Sequence, residues 1–526
     1  MWRVNRRNLI LLSIAAALAL VSILNLITAG NGIARHAERI NGVPVEIFTP
    51  AQANGALPTV IVAHGFNGNR QLMYGFGYAL ARNGYAAALI DFAGHGANLN
   101  RLPDSHASAQ SMALINDIDT VRAWLKQQPF VDARRIAILG HAMGANAVAH
   151  YGSEHSDAPA TIAISPGNLA AQLTQDAARP RNLLILTGEN AFRGFIQAAA
   201  AGLKAAYPQG IAGKTYGDFA DGTARRLAMI PRAEHITVLF SNEAYREMLR
   251  WLDAALNVAA PDRTLQFDTR MGWVLLLYLA AALAFLPLAA WVMRAFNFPT
   301  KDDSASPAIS PTRVLLMSIL VAMLVVVVLR LGWIPYQLMP LAVGNYLGAF
   351  FLLHGAIIGA YLWSQQRTAP AAPAAITFQL ASLRPLIPVL ILTAYALVTL
   401  GLPAHLAWSN FALVGDRTWI ATGLFVCCLA FFWADEALVA RHSRHARLAL
   451  YISTKIIVVA ALLIAVLFLG APAFLLLLLP VMAALFAWSG LYSHWLYGLT
   501  RTTWAGALLN ATVFAWLFAA TFALMG

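Results

Sequence analysis

Charge is scarce in this sequence. Asp, Glu, Lys and Arg make up 11% of the 526 residues, against 59% apolar residues, and soluble globular chains carry about twice that charged share. So little charge with so many aromatics excludes a disordered chain, and a wholly soluble one fits poorly. Cysteine is almost missing as well. The two present, Cys427 and Cys428, are neighbours in an apolar run. Adjacent cysteines suit disulfide geometry badly, so there is no disulfide framework and no metal-type spacing.

Acidic residues are nearly confined to one stretch. Residues 35–262 hold 19 Lys/Arg and 18 Asp/Glu, whereas residues 263–526 hold 14 and 6, and residues 1–34 hold three Arg and no acid. The net charge of +12 therefore belongs to the apolar parts of the chain. That is a membrane-topology pattern rather than a nucleic-acid footprint, and no nucleic-acid partner is expected.

Three regions follow. Residues 1–34 are a basic tail with an apolar run, Leu9–Ala29, of bilayer-spanning length and no small-residue cleavage pattern, which reads as an uncleaved anchor. Residues 35–262 alternate short apolar runs with amphipathic stretches. Thr59–Ala63, Ala86–Ile90, Arg135–Leu139, Thr161–Ser165, Leu183–Thr187 and Leu227–Ile230 read as buried strands. Ile115, Ile118, Val121 and Leu125, then Tyr245, Leu249 and Leu252, recur at helical spacing, and Gln197–Ala206 reads as a helix. Such alternation predicts a mainly parallel sheet with helices on both faces. Residues 263–526 read as an all-α membrane domain of eight spans: Met271–Met293, Val314–Leu329, Ile334–Trp363, Leu386–Leu402, Trp419–Trp433, Leu448–Leu469, Ala473–Trp488 and Thr503–Leu524.

Counting cations orients the set. With the N-terminus inside, Arg3, Arg6, Arg7, Arg294, Lys301, Arg313, Arg367, Arg384, Arg441, Arg444, Arg447 and Arg501 fall inside, and Arg330 and Arg417 fall in short outside loops. This predicts an integral protein of the inner or plasma membrane with a cytoplasmic N-terminus and residues 35–262 outside the cytoplasm.

Within that stretch, Gly140-His141-Ala142-Met143-Gly144 follows a predicted strand and opens a helix, the position of a nucleophile elbow. His64-Gly65-Phe66-Asn67-Gly68 follows an earlier strand, where a backbone N–H can face an oxyanion. Asp91-Phe92-Ala93-Gly94-His95-Gly96 follows the next strand, and His235 precedes the last helix. In this order the four pieces resemble an α/β-hydrolase of the lysophospholipase or dienelactone-hydrolase type over residues 40–258. The resemblance implies an α/β-hydrolase domain with Ala142 at the nucleophile position, His235 as base, and the N–H groups of Phe66 and Met143 as the oxyanion hole. His64, Gly65, Asn67 and His141 would line the pocket. No cofactor or metal is implied.

Two departures stand out. The family carries serine where this chain has Ala142, and its acid falls where this chain has Ala191. Glu189 is the tentative acid, with Asp218 and Asp221 behind it. Ala142 is either a substitution made in a working serine hydrolase of esters, thioesters or amides, or the natural mark of a pseudohydrolase that binds a ligand or scaffolds a membrane complex. The substrate scaffold implied is lipid-like or acyl.

Other features have plainer readings. His95 and His141 sit in tight glycine turns and read as structural. His150 and His155 have no third ligand. Gly75-x-Gly77 lacks the third glycine of a dinucleotide loop. In the apolar half, Gly344-x-x-x-Gly348 and Gly355-x-x-x-Gly359 predict close helix packing, inside the chain or against a membrane-protein partner. His354, Asp435, Glu436 and Lys455 are the ionisable residues inside spans; Lys455 is expected to pair with Asp435 or Glu436. His442 and His445 lie among Arg441, Arg444 and Arg447 in a loop suited to anionic headgroups.

Overall fold

The computed structural model of the chain describes residues 6–53, 55–104, 107–174, 176, 178–259, 269–299, 309–368, 384–439 and 442–526. Arg3, Lys301 and Arg441 lie outside them. Two compact units emerge. One comprises Val21–Leu275, Pro403–Ala412 and Ala523–Gly526; the other comprises Met1–Leu20, Leu276–Leu402 and Leu413–Phe522.

The chain starts with helix α1 (Arg6–Thr28) and then builds an α/β sandwich. Its strands are β1 (Ile33–Ile40), β2 (Val43–Pro50), β3 (Leu57–Ala63), β4 (Ala86–Ile90), β5 (Val131–His141), β6 (Thr161–Ile164), β7 (Leu183–Gly188), β8 (Thr215–Tyr216) and β9 (Arg225–Ile230). They form one sheet in the order β1-β2-β4-β3-β5-β6-β7-β9-β8. Strands β4, β3, β5, β6, β7 and β9 run parallel. The other pairings, β1 with β2, β2 with β4 and β8 with β9, are antiparallel. All six expected strands lie in the parallel part. Each is an apolar run because each is covered on both faces.

The helices are α2 (Tyr74–Arg82), α3 (Ala107–Leu125), α4 (Met143–Glu154), α5 (Arg193–Ala206) and α6 (Asn242–Ala255). Side chains alternate along β3 and thereby divide the core. Val60 and Val62 join the cluster under α2 and α6, whereas Ile61 and Ala63 join the cluster under α3 and α4. A third cluster joins Ala145 and Ala149 of α4 to Ala199 and Leu203 of α5.

The antiparallel β1–β2 hairpin escapes the hydrophobic pattern. Strand β1 (IARHAERI) is exposed over most of its length, and charged side chains blunt this edge of the sheet. One of them is tied down: Arg35 pairs with Glu46 of β2. Glu46 also takes Arg70 and the Tyr74 hydroxyl. Arg70 in turn pairs with buried Asp91.

The other unit is helical. Its elements are α7 (Arg270–Ala295), α8 (Pro311–Arg330), α9 (Gly344–Thr368), α10 (Leu386–Ala407), α11 (Arg417–Val439), α12 (Arg444–Phe468), α13 (Leu475–Thr500) and α14 (Thr503–Thr521), with α7 and α10 each having one end in the α/β unit. Counting α1, nine described helices are long and apolar enough to cross a membrane. Several boundaries differ from expectation. Helices α10, α11 and α13 run on past Leu402, Trp433 and Trp488 to Ala407, Val439 and Thr500. The run from Ile334 becomes helical only at Gly344, after Pro335 and Pro340 have interrupted it. The last helix ends at Thr521, and residues beyond Phe522 group with the α/β unit. Arg417, fully buried, donates to the carbonyls of Ala519 (2.6 Å) and Phe522 (2.7 Å) and closes the C-terminal end of α14.

The glycine face of α9 is used within the chain. A Cβ at Gly355 would lie 2.3 Å from the Ala430 backbone of α11, and one at Gly348 would lie 3.1 Å from Leu424. Of the two expected uses of this face, inside the chain or against a partner, these contacts show the first, α9–α11 packing. Lys455 of α12 pairs with Asp435 of α11, whose other oxygen accepts from Thr454 at 2.8 Å. The neighbouring Glu436 accepts from the Tyr451 hydroxyl. His354 is buried on α9, and neither ring nitrogen has a hydrogen-bond partner among the described residues.

Candidate functional site

The β5–α4 turn holds its residues in a conformation the sequence anticipates. Ala142 has φ 49° and ψ −108°, a strained region for any residue with a Cβ. Two glycines make the turn possible. A Cβ at Gly140 would stand 2.1 Å from the Gly144 carbonyl oxygen, and one at Gly144 would stand 2.5 Å from the His64 carbonyl oxygen. The strand, the turn and the helix are thus pressed together with no room for side chains. Ala142 N–H donates to Ile164 O at 2.8 Å and fixes the turn against β6. The methyl group of Ala142 is half-buried at the tip. Met143 is the first residue of α4, where a backbone N–H has no acceptor inside the helix.

The loop after β3 packs on this turn. A Cβ at Gly65 would lie 2.9 Å from His141 Nδ1 and 3.1 Å from the Ala142 Cβ. Its shape is set by His64, which is fully buried. His64 Nε2 accepts from Phe92 N–H at 3.1 Å, so Nδ1 carries the proton and donates to Gly65 O at 2.8 Å. Burial holds this imidazole below its usual pKa and hence neutral. Gly68 N–H donates to Gly65 O at 2.9 Å, closing a turn around Phe66 and Asn67. Asn67 takes a positive φ of 54°, which asparagine tolerates better than most residues.

His235 lies beside the elbow. Its carbonyl accepts from His141 Nε2–H at 3.0 Å, and the two rings are 4.8 Å apart. Phe195 of α5 stacks on the other side of the His235 ring at 3.8 Å, a contact that no sequence pattern announced. Burial lowers the His235 pKa to about 4. The same cause lowers His141 to about 3, with His235 adding to it. Both rings are therefore neutral at physiological pH.

The acid position is empty of a paired carboxylate. His235 Nδ1 is buried with no hydrogen-bond partner among the described residues. Glu189 follows β7 with its side chain exposed, and its N–H donates to Ile230 O at 3.0 Å. Ala191 is buried. Asp218 is exposed and accepts from Ala220 N–H at 2.7 Å, turning within its own loop, and Asp221 is exposed too. Glu234 accepts from Thr237 N–H at 2.6 Å and caps the turn before α6.

Three other histidines of the domain make contacts within it. His95 bonds Ala93 O at 2.8 Å. His150 bonds Ser111 at 3.1 Å, and His155 stacks on Tyr151 at 4.0 Å. Among the described residues no group of His, Cys, Asp and Glu is arranged to hold a metal ion. A cavity of about 760 Å³ lies between β9 and α6, lined by residues that include Arg226, Arg232, Phe240 and Glu247, and none of the candidate site residues borders it.

Residues 56–260 match the family Hydrolase_4, described as serine aminopeptidase, S33. This part of the chain belongs to the α/β-hydrolases. Two uncharacterized proteins of Mycobacterium tuberculosis are each 31% identical to the chain over 98 residues, which is 19% of this chain and 32% of theirs. The match thus spans about a third of the length of these curated relatives. Among solved structures, a dienelactone hydrolase from Anabaena variabilis aligns with 17% identity over 43% of this chain and 99% of its own, TM-score 0.31. Esterase LipW from Mycobacterium marinum aligns with 18% identity over 48% of this chain and 90% of its own, TM-score 0.34. The hydrolase domain accounts for under half of the chain, and the helical half lies outside the matched residues.

Proposed function

We propose that the chain is a membrane-anchored α/β-hydrolase-fold protein derived from a serine hydrolase of esters, thioesters or amides, and that it lacks its nucleophile. In this reading Ala142 marks the nucleophile position, His235 the base, Glu189 the tentative acid, and Phe66 and Met143 the oxyanion donors. His64, Gly65, Asn67 and His141 form the walls. The observation that carries it is Ala142 at φ 49° between two glycines that admit no Cβ. A plain strand-to-helix connection has no need of that strain, whereas the presentation of a nucleophile does.

A methyl group cannot attack a carbonyl. The domain as it stands therefore binds an ester-like or acyl ligand without forming an acyl-enzyme, and the oxyanion donors polarise the bound carbonyl. The domain's chain ends both lead into apolar helices, which favours a lipid-like ligand at the outer membrane surface. The Arg and Lys distribution favours a cytoplasmic N-terminus. The unpartnered Nδ1 of His235 favours a second reading, in which loss extends beyond the serine and the domain is a ligand-binding or scaffold subunit.

Labelling by a fluorophosphonate probe in membranes separates these readings. The natural chain should not label and Ala142→Ser should. Labelling of the natural chain at this site would overturn the proposal. If neither form labels, the nucleophile is not the sole loss, and the binding-subunit reading takes its place.

A further inference from the structure

Ala523 and Leu524 read in sequence as the end of an apolar span, yet Ala523–Gly526 belong to the compact unit of the hydrolase domain. Their backbone is paired along both edges of a loop segment. Leu524 N–H donates to Gly94 O at 2.8 Å, and Leu102 N–H donates to Leu524 O at 2.9 Å. Gly526 N–H then donates to Leu102 O at 2.9 Å, and Asp104 N–H donates to Gly526 O at 2.8 Å. Leu102 and Met525 form a parallel bridge. Ala523 and Leu524 are buried, and Met525 packs on the cluster that contains Phe92 and Leu102. The receiving surface is shaped for the segment: a Cβ at Gly94 would lie 2.4 Å from the Leu524 carbonyl oxygen.

One bond reaches the candidate site. Ala523 N–H donates to Asn67 Oδ1 at 2.7 Å. Asn67 sits at positive φ inside the turn that Gly65 and Gly68 close, next to the candidate oxyanion donor Phe66. We propose that residues 523–526 act as a clasp that fixes Asn67 and so orients the Phe66 N–H, which makes Asn67 a positioning residue. The clasp is an added strand, and its backbone bonds give it a defined register. The proposal rests on the oxyanion reading of Phe66.

The test uses the full chain. Leu524→Pro removes the donor to Gly94 and opens the clasp. Asn67→Gly removes the side-chain acceptor and keeps the left-handed backbone. In the natural background, hydrogen exchange of Leu524→Pro should lose protection at both 94–104 and 64–70. Unchanged protection at 64–70 overturns the clasp. In the Ala142→Ser background, each variant should slow fluorophosphonate labelling about tenfold, and the double variant should be no slower than either single one, since both act through the same bond. Additive losses, or full labelling by Asn67→Gly, overturn the positioning role. Failure of Ala142→Ser itself to label would reject the site reading, and the exchange experiment would still decide the clasp.

Discussion

At Ala142 the backbone holds a left-handed turn that the residue's own chemistry cannot use. Beside it are two buried neutral imidazoles, each with an Nδ1 that finds no hydrogen-bond partner among the described residues. The pH dependence has a definite sign. In the folded chain the His235 pKa is about 4, below the ordinary histidine value of 6.5. Between those values the unfolded chain binds the proton and the folded chain does not, so stability is full above 6.5 and falls as pH drops toward 4. Thermal unfolding across this window should show that fall, and His235→Gln should lessen it, the buried His141 contributing to what remains. An unchanged slope would mean that the ring titrates normally. The elbow itself was legible in the sequence, because a buried strand followed by glycines at 140 and 144 is local grammar. The pairing of Glu189 was not. Whether its carboxylate faces His235 depends on how residues 188–191 turn, and Ala191, not Glu189, is the side chain that goes inward.

Among elements, legibility followed burial. The six strands of the parallel sheet are buried runs and were read directly. The β1–β2 hairpin was missed because Arg35, His36, Glu38 and Arg39 break any apolar pattern, and β8 is only two residues long. In the helical unit, the glycine spacing on α9 was legible, but its partner α11 was not, since spacing names a face and not what covers it. The α11–α12 ion pair is open to a direct check. Lys455→Met leaves Asp435 buried with no cation, at a cost of about 3–5 kcal/mol. A lower unfolding temperature in detergent is expected for Lys455→Met. Most of the loss should return in Lys455→Met with Asp435→Leu, which removes both charges. If the single variant is as stable as the natural chain, the pair contributes nothing to the bundle.

For the whole molecule, the connectivity sets a parity. Residues 403–412 follow four apolar helices after the hydrolase domain, and residues 523–526 follow eight; both segments group with that domain. Were each of these helices to cross a membrane, the even counts would return the chain to the side it left, the same orientation that the cation count leads one to expect. A cysteine placed at Trp333, which is 73% exposed between α8 and α9, should react with an impermeant maleimide from the hydrolase-domain side. One placed at Ser443, between α11 and α12, should react only after the membrane is opened. The reverse pattern would reject the orientation. The sequence carried the number of helices through composition alone. It hid the fate of residues 523–526, because Ala523, Leu524 and Met525 are as apolar as the helix before them.

The pairing of Leu102 with Met525 also has a consequence in time. The ribosome makes residue 102 long before residue 525. At about 5–20 residues per second, the intervening stretch takes roughly 20–85 s to synthesise. Throughout that interval the surface at Gly94 and Leu102 has no strand against it. That edge is paired only once residues 523–526 have been made. A polypeptide stopped before residue 523 should therefore hold the same sheet and leave the Leu102 backbone open to rapid hydrogen exchange.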